Sequence, residues 1–252
     1  MASQTSIESA TRFNDRAGDY VKYRPTYPPG AIDTILSGLG APADLVAADL
    51  GAGTGISARL LGDRGLRIVA IEPSPGMRGA AAKHANVRFV AGRAEATGLR
   101  SHVVDLVLSA QSFHWFHAND TLVECARILK PHGRLAIMWN RRSHTDAVTE
   151  GYRKAIADVG GESSIERMAF DPDVVARSGL FAPVERTSFP YRQHLDLEGL
   201  IGRARSASYC PTDRPAAERL RKLLHELWRV HADGDGLVTL VYETEVYRSR
   251  TV

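Results

Sequence analysis

The chain lacks the features that mark several specialised classes of protein. Only two of its 252 residues are cysteines, Cys125 and Cys210, and they stand far apart without the spacing of a metal site. This excludes a disulfide framework and favours a reducing, cytoplasmic compartment. No apolar run approaches the ~20 residues of a membrane-spanning helix. Residues 1–12 are polar and carry no segment typical of a signal peptide.

The chain also lacks an excess of charge of either sign. It has 32 Lys and Arg against 29 Asp and Glu, a net charge of +3, with both signs mixed along its length. This balance predicts neither a nucleic-acid surface nor a polybasic membrane patch, so neither partner is expected. No cluster of His, Cys, Asp and Glu has the spacing of metal ligands, and we expect no bound metal.

What the chain does contain is an alternation of short apolar runs with helical stretches. This pattern predicts an α/β fold with a mostly parallel sheet, helices on both faces and an antiparallel last strand. The predicted strands are Leu45–Leu50, Arg67–Ile71, Val87–Ala91, Val104–Leu108, Arg134–Trp139, Val184–Tyr191 and Leu237–Tyr247. The predicted helices are Ile56–Leu61, Gly76–Ala85, Asp120–Leu129, Asp146–Val159, Asp173–Ser178, Leu197–Ala207 and Arg214–His231.

The most informative segment follows the first predicted strand and reads Asp49-Leu-Gly51-Ala-Gly53-Thr-Gly55. Glycines at alternate positions after an apolar strand make a turn that a nucleoside ligand can approach closely. A dinucleotide-binding fingerprint requires a further glycine where this chain has Ile56. The spacing therefore favours a nucleoside cofactor other than a dinucleotide.

This segment resembles the first motif of class I S-adenosylmethionine-dependent methyltransferases. The resemblance implies a Rossmann-like seven-stranded sheet, S-adenosylmethionine as the cofactor and S-adenosylhomocysteine as its product. It also places Asp49, Gly51, Gly53 and Gly55 in the cofactor site.

Glu72 ends the second strand, where its two oxygens suit the two ribose hydroxyls of a nucleoside. Pro73 and the next helix follow, and Met77 either covers an adenine ring or faces the core. After the third strand the family usually has Gly-Asp-Ala-Glu, whereas this chain has Arg93 at the acid position, before Ala94 and Glu95. The Ala94 amide still suits a ring nitrogen, while Arg93 either stacks on the ring or points into solvent.

The end of the fourth strand carries Ala110, Gln111, His114 and Trp115. By resemblance Ala110 and Gln111 border the cofactor, and the aromatic residues wall off the reacting groups from water. His114 either acts as a general base or merely orients the loop, and the absence of a visible partner favours the second reading.

Residues 13–28 are rich in aromatic and basic residues at helical spacing and stop at prolines. With the Gln-Ser-Phe-His-Trp segment, they resemble the trans-aconitate methyltransferase-like branch of the family. That resemblance implies an N-terminal lid in which Tyr20 and Arg24 contact the cofactor, Arg24 through the carboxylate. The alternative is an N-terminal helix packed on the sheet. We expect one domain in three parts: a lid segment (1–40), a cofactor-binding core (41–140) and a C-terminal half with substrate-covering helices inserted before the last strand (141–252).

The function expected from these residues is methyl transfer by in-line displacement to the oxygen, nitrogen or carbon of a small-molecule acceptor. A hydroxyl or carbon acceptor would need a base, whereas a carboxylate or neutral amine would not. The candidate acceptor residues are Trp115, Trp139, Asn140, Tyr209 and Trp228. A nicotinamide-dependent oxidoreductase and a non-catalytic cofactor-binding protein remain as alternatives, and the chain is expected to be a monomer or a homodimer.

Overall fold

The computed structural model describes residues 17–160, 170–207, 210 and 213–252. A single seven-stranded sheet forms its centre, with the strand order β3-β2-β1-β4-β5-β7-β6. The strands are β1 (Val46–Leu50), β2 (Arg67–Ile71), β3 (Val87–Val90), β4 (Val104–Ala110), β5 (Leu129–Arg142), β6 (Glu185–Leu195) and β7 (Val238–Arg250). The helices are α1 (Ala17–Tyr23), α2 (Pro29–Leu36), α3 (Ile56–Gly62), α4 (Pro75–Ala80), α5 (Ala118–Ile128), α6 (Ala147–Gly160), α7 (Asp173–Arg177), α8 (Leu197–Arg205) and α9 (Arg214–His231).

The sheet changes its direction of winding between β1 and β4. From β1 the chain moves outward through β2 and β3, then returns to place β4 on the other side of β1. These pairs are parallel, as is the β4–β5 pair, whereas β7 runs antiparallel to both β5 and β6. Ligands of such sheets bind beyond the carboxyl ends of the strands at this point of reversal.

The two faces of the sheet bury separate clusters of apolar side chains. Successive residues alternate between them: Ala47 and Leu106 face α2 and α3, whereas Ala48 and Val107 face α5 and α7. Because both faces are covered, the central strands are apolar at nearly every position. A third cluster lies between α6, α8, α9 and the neighbouring ends of β6 and β7.

The structure confirms the predicted Rossmann-like fold, its antiparallel last strand and the helices inserted before it. The helix predicted over Gly76–Ala85 was too long, because α4 ends at Ala80. Beyond it, His84 and Asn86 instead contact the end of α3: His84 pairs with Asp63, and Asn86 donates to the Gly62 carbonyl. The fifth strand begins five residues earlier than predicted, since Leu129 already pairs with Val104.

The N-terminal segment divides into two parts. In α2, Ala31, Ile32 and Ile35 are completely buried in the core cluster on one face of the sheet. By contrast, α1 packs mainly on α8 in the inserted region and also contacts α4. Residues 29–36 are therefore part of the core, and the lid expected over residues 1–40 reduces, within the described residues, to α1 and the loop after it.

In the described part of the chain, no helix combines the length and the apolar character needed to cross a bilayer.

Candidate cofactor and acceptor site

The glycine turn lies at the carboxyl end of β1. Gly51, Gly53 and Gly55 all have positive φ, at 62°, 57° and 79°, a region that favours glycine. A Cβ on Gly51 would also lie 2.8 Å from the Cβ of Ser112 and 2.9 Å from the Phe116 ring. The alternate glycines are thus required by the backbone itself and by the close approach of the β4 loop.

Asp49 lies near the end of β1 and supports the glycine turn that follows. Its side chain is completely buried, and Oδ2 accepts a hydrogen bond of 2.7 Å from the Ser57 hydroxyl in the first turn of α3. Its Oδ1 has no hydrogen-bond partner among the described residues. Burial raises the pKa of Asp49 to about 7, with a smaller contribution from the nearby Glu72 and against the hydrogen bond from Ser57. Asp49 therefore joins β1 to α3 and is half-ionised near neutral pH.

Glu72 connects the ends of β1 and β2. Its buried carboxylate accepts 2.8 Å hydrogen bonds from two backbone N–H groups, of Gly53 at Oε2 and of Ser74 at Oε1. Burial raises its pKa, while those two bonds and the charge of Arg78 oppose the rise. Each oxygen keeps a second lone pair, so both can still accept from a ligand while the backbone fixes their orientation.

The segment after Glu72 begins α4. Ser74 caps the helix, because its hydroxyl accepts from the N–H of Met77 at 3.2 Å. Arg78 donates to the carbonyls of Glu72 and Pro73 at 2.6 and 2.9 Å. Pro73 is exposed and Met77 is buried, so the proline borders solvent beside the carboxylate.

Arg93 does not extend freely into solvent. Its Nε lies 3.4 Å from Oε2 of Glu95, whose other oxygen accepts a 3.0 Å bond from the N–H of His117. Burial alone would raise the pKa of Glu95, but these bonds outweigh it and leave the pKa below its usual value. Ala94, between them, is buried. Glu95 thus joins the β3 and β4 loops, and Arg93 is paired to it.

Gln111 follows Ala110 at the end of β4 and has a left-handed backbone with φ of 57°. Its amide Nε2 donates to the carbonyl of Asn140 at 3.3 Å. Because a carbonyl can only accept, this bond fixes the orientation of the Gln111 amide. Its Oε1 is then buried and has no hydrogen-bond partner among the described residues. An unusual backbone and an unsatisfied acceptor at one residue are typical of a ligand site.

The loop after α1 closes a pocket over the glycine turn. The pocket is small: its cavity measures about 20 Å³, close to the space of one water molecule, and it opens to solvent. It is lined by Arg24, Pro25, Tyr27, Ala52, Ile56, Ser57, Ala110 and Gln111. Arg24 thus lines the pocket over the glycine turn, and its Nη2 also donates to the carbonyl of Ser206 at 3.0 Å. Tyr20 lies on α1, but its side chain is outside the described residues.

Helix α1 is held by the inserted helix α8. Lys22 and the hydroxyl of Tyr23 both donate to Glu198, and Gln193 donates to the Tyr23 carbonyl at 2.9 Å. The ring of Tyr23 lies so close to Gly202 that a Cβ there would overlap it. Residue types alone give no signal for these contacts, because they join positions about 170 residues apart.

His114 lies beyond Gln111 in a short 3₁₀ turn (Phe113–Trp115). Its ring centroid is 4.7 Å from that of Trp115 and 5.1 Å from that of Trp139. Both ring nitrogens are buried, and neither has a hydrogen-bond partner within the described part of the chain. Burial, and then the charge of Arg24, lower the pKa of His114 to about 4, so the imidazole is neutral at physiological pH.

The other predicted acceptor residues are only partly brought together. Trp115 and Trp139 flank His114, whereas Asn140 lies nearby with its amide engaged: Nδ2 donates to the Thr26 carbonyl at 3.0 Å and Oδ1 accepts from Thr244 at 2.6 Å. Trp228 belongs to the separate cluster of α6, α8 and α9, where its indole donates to the Gly236 carbonyl at 2.9 Å. Tyr209 lies outside the described residues.

Sequence reasoning missed two serines that shape the site. Ser57 bonds Asp49 and lines the pocket. Ser112 donates to the Leu50 carbonyl at 2.7 Å and shares a 2.8 Å bond with Ser109, which joins the ends of β1 and β4. A serine just after a glycine turn is a weak signal for the first role, and nothing in the sequence indicates the second. Among the described residues, no group of three or more His, Cys, Asp or Glu is arranged to hold a metal ion.

Comparison with known proteins shows which family this chain resembles. Residues 48–137, from the glycine turn through β5, match the methyltransferase domain family. An uncharacterized methyltransferase of Mycobacterium bovis is 35% identical over 246 residues, which cover 94% of each chain.

Solved structures share the fold at lower identity. A provisionally named type II methyltransferase from Anaeromyxobacter dehalogenans superposes with a TM-score of 0.62 at 22% identity, over 90% of this chain and 97% of that one. Geranyl diphosphate C-methyltransferase from Streptomyces coelicolor, solved with S-adenosyl-L-homocysteine, gives a TM-score of 0.56 at 13% identity, over 100% and 99%.

Proposed function

The chain belongs to the class I S-adenosylmethionine-dependent methyltransferase family, and we propose that it uses this cofactor to methylate a small-molecule acceptor. The observation that carries the proposal is the pocket over the glycine turn, where Arg24 and Gln111 present a cation and a hydrogen-bond acceptor. The proposal includes an N-terminal lid like that of the trans-aconitate methyltransferase-like branch, but it does not include trans-aconitate as the substrate.

The pocket suits the amino-acid end of the cofactor. A carboxylate needs a cation, and Arg24 supplies one at the pocket wall. An ammonium needs acceptors, and Gln111 Oε1 is buried and unsatisfied. Since an unsatisfied buried acceptor costs about 1–3 kcal/mol, binding an ammonium there would remove that cost.

The nucleoside end is assigned to the neighbouring strand ends. Glu72, oriented by two backbone N–H groups, would accept from the ribose hydroxyls, with Pro73 and Met77 beside it. Ala94 and Glu95 would border the base. Arg93 is paired with Glu95, so we assign it no contact with the adenine amine.

When bound, the sulfonium cofactor supplies a methyl group that is already activated for displacement. The chain's own residues then have to orient an acceptor and keep water away. Trp115 and Trp139 flank the end of β4 and would do both. The small-molecule acceptor, and a monomeric or homodimeric state, are part of this proposal.

Titration calorimetry with S-adenosylmethionine and with NAD tests it. We expect saturable binding of the first only, and an Arg24→Ala variant should bind it about 10- to 100-fold more weakly, the range for a lost charge-assisted hydrogen bond of about 1.5–3 kcal/mol. Arg67→Ala removes an exposed arginine from the opposite end of the sheet and should change nothing. Saturable NAD binding without S-adenosylmethionine binding would refute the proposal.

A further inference from the structure

His114 is a half-buried side chain whose two ring nitrogens are shielded from solvent. Neither nitrogen has a hydrogen-bond partner among the residues that the structure describes. A histidine that serves only packing normally has at least one nitrogen bonded, because a buried unpaired polar group costs about 1–3 kcal/mol. The ring is held in place by Trp115 and Trp139. The protein therefore orients this imidazole without using its nitrogens.

The chemistry of the ring limits what it can bind. The imidazole is neutral, because burial and the charge of Arg24 disfavour the protonated form. A neutral imidazole presents one N–H donor and one lone pair. The N–H and the lone pair lie on different ring nitrogens and point apart, so one ligand group can pair with only one of them. The lone pair needs a donor, which a hydroxyl supplies. A carboxylate can only accept, and would leave the lone pair unsatisfied. An ammonium would add a positive charge close to Arg24.

We propose that His114 binds the methyl acceptor directly, and that the acceptor group is a phenolic or enolic hydroxyl, the O–H donating to the imidazole lone pair. This inference rests on the methyl transfer proposed above. The aromatic walls formed by Trp115 and Trp139 suit a planar acceptor, and Trp115 keeps 39% of its surface in solvent, where an acceptor can reach it.

The transfer step balances with His114 as the proton acceptor. The hydroxyl oxygen forms a bond to the methyl carbon as the bond between that carbon and the cofactor sulfur breaks, its electron pair staying on sulfur. The hydroxyl proton passes to the imidazole, which later releases it to water. Because the oxygen becomes strongly acidic as it gains the methyl group, even a weakly basic imidazole accepts the proton. The sulfonium loses its positive charge as the imidazole gains one, so the sulfonium and the imidazolium are never present together.

The experiment uses the full chain with S-adenosylmethionine and a panel of phenols and enols, each matched by a carboxylate and an amine on the same carbon skeleton. Mass spectrometry identifies the methylated product. His114→Phe keeps an aromatic ring but no nitrogen, and His114→Gln keeps a donor and an acceptor but no useful base. His132→Gln is the control, since this exposed histidine lies at the opposite end of the sheet.

We expect methylation of hydroxyl probes, and a loss of about 100-fold or more in kcat for His114→Phe and His114→Gln, the range for a lost general base. A second readout does not depend on turnover. Binding of the best hydroxyl probe to the protein loaded with S-adenosylhomocysteine, followed by tryptophan fluorescence, should weaken about tenfold in His114→Phe, the effect of one lost hydrogen bond, and less in His114→Gln.

Cofactor affinity by calorimetry separates the two proposals. If the unchanged protein fails to bind S-adenosylmethionine, the proposed function fails. If it binds the cofactor but methylates no hydroxyl probe, or if His114→Phe keeps wild-type kcat and probe affinity, this inference alone is overturned.

Discussion

The docking of Tyr23 on Gly202 leads to a prediction in which cofactor affinity should fall more than stability does. Gly202 lies inside α8 with an ordinary helical backbone, so alanine is conformationally acceptable there. Replacing glycine by alanine inside a helix usually stabilises it by about 1 kcal/mol. Here, however, the added methyl group would overlap the Tyr23 ring, which is 9% exposed. The cost of Gly202→Ala therefore falls on the contact between α1 and α8.

The magnitude follows from that contact. Overpacking typically costs about 1–3 kcal/mol, and displacing Tyr23 also disturbs its bond to Glu198 and the position of Arg24, the next residue. If Arg24 is held in the cofactor pocket by this docking, the affinity for S-adenosylmethionine should fall by about 5- to 100-fold, which corresponds to the same energy. The unfolding temperature of the cofactor-free protein should fall less than this cost alone implies, because α8 gains helix propensity.

Calorimetry and thermal unfolding measure the two effects. Gly18→Ala is the matched control: it makes the same substitution in α1, where a Cβ would meet no described atom within 4 Å, and it should leave cofactor affinity unchanged. In a Tyr23→Ala background, Gly202→Ala should have no further effect on affinity, since no ring remains to be displaced. Wild-type affinity in the Gly202→Ala single variant would refute the view that this docking positions Arg24.

Two further predictions concern the turn itself. Glu72→Ala should weaken cofactor binding, which calorimetry measures. It should also lower the free energy of unfolding, measured with denaturant, by about 1–3 kcal/mol for each backbone N–H left unsatisfied. Unchanged cofactor affinity would show that Glu72 does not belong to the site. For Asp49, burial raises the pKa to about 7 from the ordinary aspartate value of 3.8, so the folded state binds more protons than the unfolded chain. Stability should therefore fall as the pH rises from about 4 to 7, by at most ~1.4 kcal/mol per pH unit. Asp49→Asn should flatten this dependence in denaturant unfolding, and an equal slope in both proteins would contradict the assignment.

The sequence predicted the sheet well because the sheet is encoded locally. Apolar runs such as Arg67–Ile71 have the same bounds in the structure, since burial on both faces leaves a continuous apolar signal. The positive φ of Gly51, Gly53 and Gly55 is the reason why glycines recur at those positions. Glu72 was predicted to bind the ribose hydroxyls of a nucleoside, and its two backbone hydrogen bonds give it a structural role as well.

The acceptor side was less predictable because its contacts join distant parts of the chain. Trp139 and Trp228 are equally plausible pocket residues by type, yet only Trp139 contacts His114, while Trp228 packs between inserted helices. Asn140 was expected to face an acceptor, and both ends of its amide are engaged by Thr26 and Thr244. No local sequence pattern distinguishes these outcomes, since they depend on how α8 and α9 pack against the rest of the chain.

Arg93 shows how a departure from a family pattern can be accommodated by its neighbours. An acid at this position would stand two residues from Glu95 and repel it, whereas Arg93 pairs with Glu95 and helps to keep the pKa of that carboxyl low. Glu95 in turn holds the N–H of His117 at the start of α5, in the segment that also carries His114. Arg93 therefore adds to the link between the β3 loop and the loop that carries His114.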